Sequence, residues 1–140
     1  MPDQVFSCEV QVRWGDSDRL GHINNVRYVE YMQEARILFF AHEMEIEGER
    51  PHAMVVRKMD VEFLRPATDS SGPLTVEMSV LHLGNSSYTM RHVIKDRGGE
   101  AVATGDAVLV AFDPRTEKSR LLSDAERSML QRNLVPAATT

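Results

Sequence analysis

A chain of 140 residues, 42% hydrophobic and 26% charged, has the composition of a globular domain large enough to bury a core. Its formal charge of −5 excludes nucleic-acid binding through a broad basic face, so an anionic ligand would need a local cluster of cations. The lone cysteine, Cys8, excludes an internal disulfide and a CxxC metal site. The opening MPDQVFSCEV has neither a basic run nor an apolar stretch, and no segment is apolar for long enough to cross a bilayer. The expectation is a cytoplasmic protein without a membrane contact.

Phe6, Cys8, Val10, Val12 and Trp14 alternate with polar residues, and that period of two predicts a half-buried strand. Gly15 and Gly21 interrupt the pattern. Tyr28, Val29, Met32, Ala35 and Phe39 then recur at spacings of three and four, which predicts a helix. Asn24 or Asn25 caps its start, and Gly48 with Pro51 ends it. Tyr31, Ile37, Leu38 and Phe40 widen the apolar arc, so the helix is expected to be enclosed on most sides.

Four further strands follow: residues 53–64, stopped by Arg65-Pro66; Leu74 to Val80; Tyr88 to Lys95; and Glu100 to Phe112 after a Gly98-Gly99 turn. One face of the last strand is Ala101, Ala103, Gly105, Ala107 and Ala111, which predicts a bulky element lying directly across it. Ser123-Asp-Ala-Glu126 fits a capping box for a short helix over about 123–134, and the tail PAATT is expected to fray. The order gives an α+β fold, an antiparallel sheet of about five strands wrapped around one long helix. Its open edges predict pairing with a second copy, as a homodimer.

The polar stretch between the first strand and the helix, GDSDRLGHINN, is crowded for a connector. Asp16, Asp18 and the asparagines suit turn shaping and helix capping. Asp16-x-Asp18 with Gly21 also mimics the start of an EF-hand loop, but Arg27 stands where that geometry needs a bidentate glutamate. A third reading is acyl transfer. A helix N-terminus offers unpaired N–H groups to an oxyanion, and a carboxylate just upstream attacks a carbonyl or activates water.

The string VRWGDSDRLGHINNVRYVEYMQEAR, Val12 to Arg36, resembles the signature of the 4-hydroxybenzoyl-CoA thioesterase family of hotdog-fold acyl-CoA thioesterases. The resemblance continues through Phe63-Leu-Arg65-Pro66, Leu83-Gly84-Asn-Ser-Ser87-Tyr, Ala103-Thr-Gly105 and Phe112-Asp113, and covers about Val5 to Thr116. It implies a single hotdog domain over 1–140, with its core at about 5–116, hydrolysing the thioester of an acyl-CoA or acyl-carrier protein.

By the same resemblance the catalytic aspartate falls on Asp18, as nucleophile or general base, with the oxyanion donor near Asn25 and a lesser role for His22. Substrate-binding positions fall on Asn24, Tyr28, Arg65, Ser86 and Ser87. No metal and no redox cofactor is implied. Glu34 is the rival carboxylate, with pairing to Arg36 as its plainer reading. Arg57, Lys58, Arg65, Arg91, Lys95 and Arg97 are the cations available to coenzyme A phosphates, Arg65 first. Two other classes remain open: a non-catalytic acyl-thioester-binding module, and an enoyl-CoA hydratase or dehydratase using Asp18 with His22. The homodimer is open to further pairing into a tetramer.

Overall fold

The computed structural model describes residues 5–136. Alternation in the sequence becomes alternation in burial. In β3 (Leu74–Leu83), Leu74, Val76, Met78 and Val80 are fully buried between half-exposed polar neighbours; Tyr88, Met90, His92 and Ile94 do the same in β4 (Ser87–Lys95). With β1 (Phe6–Val10), β2 (Met54–Phe63) and β5 (Ala101–Asp113), these strands form an antiparallel sheet in the order β1-β3-β4-β5-β2. A two-residue strand, β6 (Lys118–Ser119), pairs with the end of β5.

The sheet curls around α1 (Asn25–Ile46), which drives Tyr31, Met32, Ala35 and Phe39 into the core. The small-residue face of β5 exists because α1 lies across it. A Cβ placed on Gly105 would stand 2.6 Å from Met32 Sδ, inside contact distance. Helix α2 (Asp124–Arg132) starts on the Ser123–Glu126 capping box and packs Ala125, Met129 and Leu130 inward. It is tied to α1 where Arg132 meets Glu43 at 3.0 Å and Glu47 at 2.6 Å. The architecture is the hotdog arrangement, as expected.

Two expectations need correction. The first strand does not reach Trp14: β1 stops at Val10, opposite Leu74, because its partner strand begins there, and Trp14 opens a short 3-10 turn with 89% exposure. The long helix is not enclosed on most sides. Ile37 and Leu38 are 60% and 46% exposed, since the sheet covers one side of α1 and no layer among the described residues covers the side these two occupy. The expected five strands form the sheet, and β6 adds a two-residue pairing at its margin. The tail expected to fray lies, from residue 137 on, outside the described residues. No described helix is long and apolar enough to cross a membrane.

Candidate active site

The loop from β1 to α1 is folded by its own aspartates. Asp18 closes a turn on itself: its Oδ1 accepts hydrogen bonds from the backbone N–H of Leu20 at 2.9 Å and of His22 at 3.1 Å. The Gly21 N–H donates to the Asp18 carbonyl at 3.0 Å, and Gly21 has φ of 80°, a left-handed conformation that glycine adopts without strain. The loop is then stitched to the segment after β2, with the Ile23 N–H on the Ala67 carbonyl at 2.7 Å and a bridge from His22 to Thr68. Asp18 thus shapes its turn as well as standing at the site. Its Oδ2 takes no hydrogen bond among the described residues, and the side chain is exposed.

Asp16 is the buried member of the pair, at 3% exposure. Its Oδ2 accepts from the Tyr31 hydroxyl at 2.6 Å and the Arg13 N–H at 3.0 Å, while Arg27 approaches Oδ1 at 3.5 Å. Burial pushes this carboxyl up. The Tyr31 hydroxyl, the Arg13 N–H and the Arg13 and Arg27 guanidinium groups outweigh it and hold the group below the usual carboxylate range. Tyr31 responds in the opposite sense, raised by burial and then by its bond to Asp16. The Asp16 carbonyl also receives the Asn24 N–H at 2.9 Å, so this buried node fixes where α1 begins.

Asn24 caps that start. Its Oδ1 accepts from the Val26 N–H at 3.0 Å and its carbonyl from the Arg27 N–H at 2.9 Å. The Asn25 N–H has no acceptor among the described residues. Asn25 and Asp18 line one cleft of about 260 Å³, with His22 and Ile23 beside them and Tyr28, Phe63, Leu64, Arg65 and Pro66 as the remaining wall. Tyr28 packs edge-on against Phe63, ring centres 5.6 Å apart. Burial raises the Tyr28 phenol above its ordinary value, and the Asp18 charge adds to that shift. A carboxylate oxygen, an unpaired helical N–H and an apolar wall therefore share one opening. That set is suited to attack on a carbonyl whose oxygen turns toward the helix.

The fold gathers Asp18, His22, Asn25, Tyr28 and Arg65 around this cleft, with Asn24 supporting it as cap. It does not bring Ser86 and Ser87 there within one chain. Ser86 ends the β3–β4 turn and Ser87 opens β4; the Ser86 carbonyl accepts from Ala111 N–H and the Ser87 carbonyl from Gly84 N–H. Of the candidate cations, Arg91 is engaged by Asp106 at 2.8 Å, Lys95 by Glu77 at 3.0 Å and Lys58 by Asp60 at 3.7 Å. Arg97 is spent on the Gly72 carbonyl, and Arg65 reaches only Glu100, at 3.9 Å. Arg57 makes no ion pair among the described residues and is exposed.

Glu34 pairs with Arg13 at 3.0 Å, not with Arg36, which is buried against His92. The sequence reading missed the Phe63–Leu64 wall as lining and Asp16 as a buried node; the Phe63-Leu-Arg65-Pro66 string was the signal for the first.

Residues 12–135 match the family model described as the thioesterase-like superfamily. The chain is 28% identical over 129 residues to the long-chain acyl-CoA thioesterase FadM of Escherichia coli, spanning 90% of this chain and 97% of that protein. It is 29% identical over 126 residues to the uncharacterized protein YsmA of Bacillus subtilis, spanning 89% of this chain and 84% of YsmA. Among solved structures, a Thermus thermophilus thioesterase complexed with coenzyme A and Zn superposes with a TM-score of 0.76 at 33% identity, over 89% of this chain and 91% of that one. With the match extending from just beyond β1 through α2, this chain belongs to the thioesterase-like superfamily.

Proposed function

We propose that the protein is an acyl-CoA thioester hydrolase of the 4-hydroxybenzoyl-CoA thioesterase branch, with Asp18 as its catalytic carboxylate. The observation that carries this reading is the uncommitted Oδ2 of Asp18 in the same cleft as the unpaired Asn25 N–H. The Asx turn fixes Oδ1 to two backbone N–H groups and so orients Oδ2 without occupying it. The thioester carbonyl oxygen faces Asn25, where the helix N-terminus stabilises the charge that develops on it.

Two routes start from this geometry. In one, Oδ2 bonds to the carbonyl carbon, the C–S bond breaks, the thiolate leaves, and water cleaves the resulting mixed anhydride. In the other, Oδ2 takes a proton from water, the water oxygen attacks the carbon, and the proton passes to the departing thiolate. Either consumes one water and yields a carboxylic acid and a free thiol. Labelled oxygen from water appearing in the Asp18 carboxylate after turnover identifies the anhydride route.

Arg65 is the cation placed to meet the coenzyme, because it lines the cleft and is held by only one distant carboxylate. Similarity to FadM supports an acyl-CoA substrate. A second copy pairs along β2, a ten-residue strand whose outer edge has no partner among the described residues. Val55, Val56, Phe63 and Leu64 on and beside that edge are 41% to 51% exposed, a surface a dimer would cover. Such a dimer is the setting in which Ser86 and Ser87 would approach a substrate. A cytoplasmic location fits this reading. Thiol release from a panel of short, long and aromatic acyl-CoAs, with Asp18→Asn beside the wild type, tests the proposal; a wild type that releases no thiol from any of them contradicts it.

A further inference from the structure

Arg36 lies on α1 roughly 16 Å along the helix from Asn25. It is 7% exposed, and the only hydrogen-bond partner of its guanidinium among the described residues is His92 Nε2, at 3.2 Å from Arg36 Nη1. His92 Nδ1 stands 2.9 Å from the Gly105 carbonyl, which only accepts, so Nδ1 carries the proton and Nε2 receives the bond from Arg36. The imidazole in that arrangement is neutral and leaves the guanidinium charge uncompensated. No carboxylate pairs with Arg36 among the described residues. Glu34 faces Arg13, and Glu126 is held by both terminal nitrogens of Arg120, at 2.8 and 2.9 Å. Buried cations in proteins are normally matched by an anion, because an unmatched one forfeits hydration for nothing.

The guanidinium borders a cavity of about 360 Å³, distinct from the Asp18 cleft. Its apolar wall is Ile37, Phe40, Met54, Val56 and Leu109, and Gln33 and His52 add polar groups beside the cation. An inorganic anion has no use for such a wall, and an uncharged alkyl chain has none for the cation. A carboxylate carried on a hydrocarbon chain uses both.

We propose that this cavity is a binding site for a chain-borne carboxylate, with Arg36 as its receptor. It rests on the hydrolase reading only for the ligand's origin: the far end of an ω-carboxyacyl thioester, or a free fatty carboxylate.

Thermal unfolding with hexanoate, against hexan-1-ol as its uncharged counterpart, tests binding without any turnover. Hexanoate at ten times its dissociation constant is expected to raise the wild-type Tm by about 3 °C or more, and hexan-1-ol is not. Arg36→Met should lose the response. If that variant does not fold, Gln33→Glu decides: it sets the chain's own carboxylate at the cavity rim, three residues from Arg36 on the same helix, and should raise the basal Tm and abolish the hexanoate shift. Comparing kcat/KM for adipoyl-CoA and hexanoyl-CoA then separates the origins. A ratio of ten or more that collapses in Arg36→Met marks the substrate's own end; a ratio near one with the hexanoate shift intact marks a free carboxylate.

Equal shifts with hexanoate and hexan-1-ol, or an undiminished shift in the variants, would overturn the proposal. So would a wild type that ignores hexanoate while Arg36→Met falls apart into monomers, since a second copy would then supply the anion. Absence of thioester hydrolysis would sink the hydrolase reading and leave the hexanoate result to stand or fall by itself.

Discussion

Asp16 and Asp18 are two residues apart and chemically identical, yet their surroundings assign them different roles. Asp16 is enclosed, with both oxygens engaged by Tyr31, Arg13 and Arg27, and it holds the loop against the helix. Asp18 keeps one oxygen open to the cleft. Asp16→Asn therefore costs about 1–3 kcal/mol of stability in urea unfolding, by spoiling a buried charged network. The turn at Asp18 was legible in the sequence, because its partners, the Leu20 and His22 N–H groups, lie within four residues of it. Asp16 looked like a turn residue because its decisive partner, Tyr31, arrives from fifteen positions away on the helix.

His92 was equally hidden, as an alternating strand residue whose partner Arg36 is 56 positions distant. Burial lowers its folded-state pKa to about 4, below its ordinary 6.5, so the unfolded chain takes up the proton first on acidification. The stability this provides is complete above pH 6.5 and is lost as the pH falls toward 4, on the order of 3 kcal/mol in all. Urea midpoints measured across that window should fall for the wild type and lose this slope in His92→Gln.

At the scale of elements, the site depends on where α1 starts. Asn24 holds that point through Val26 and Arg27, so Asn24→Ala should remove about 0.5–2 kcal/mol of stability and lower kcat by loosening the Asn25 N–H. The other constraint on α1 is its close approach to β5. Gly105→Ala would force the buried end of Met32 aside at a cost of about 1–3 kcal/mol in thermal or urea unfolding. Both features were readable in one dimension, the cap from its asparagines and the close approach from a run of alanines and a glycine. Strand β6 was not, since two residues make no period. The end of β1 was not either, because alternation continues to Trp14 while pairing stops where β3 begins.

For the whole molecule, the exposed apolar side of α1 and the free edge of β2 are what a single chain leaves unfinished. Sequence periodicity marked Ile37 and Leu38 as apolar, but periodicity carries no information about whether the fold covers them. If a second copy pairs along β2 as proposed, charges placed on that strand, as in Val55→Glu with Val56→Glu, should leave the chain monomeric in sedimentation velocity. Activity is expected to fall with dissociation, because the Phe63–Pro66 wall of the cleft continues directly from that edge.

The measurement that bears most directly on the central claim is the kcat/KM of Asp18→Asn for thiol release from the best acyl-CoA of the panel. Circular dichroism and oligomeric state should be checked on the same sample. An amide keeps an oxygen for the Leu20 and His22 N–H groups and removes the charge, so the turn survives and the chemistry does not. A loss of about a hundredfold or more is expected, with the fold intact. A folded Asp18→Asn protein that hydrolyses the thioester at the wild-type rate would contradict it.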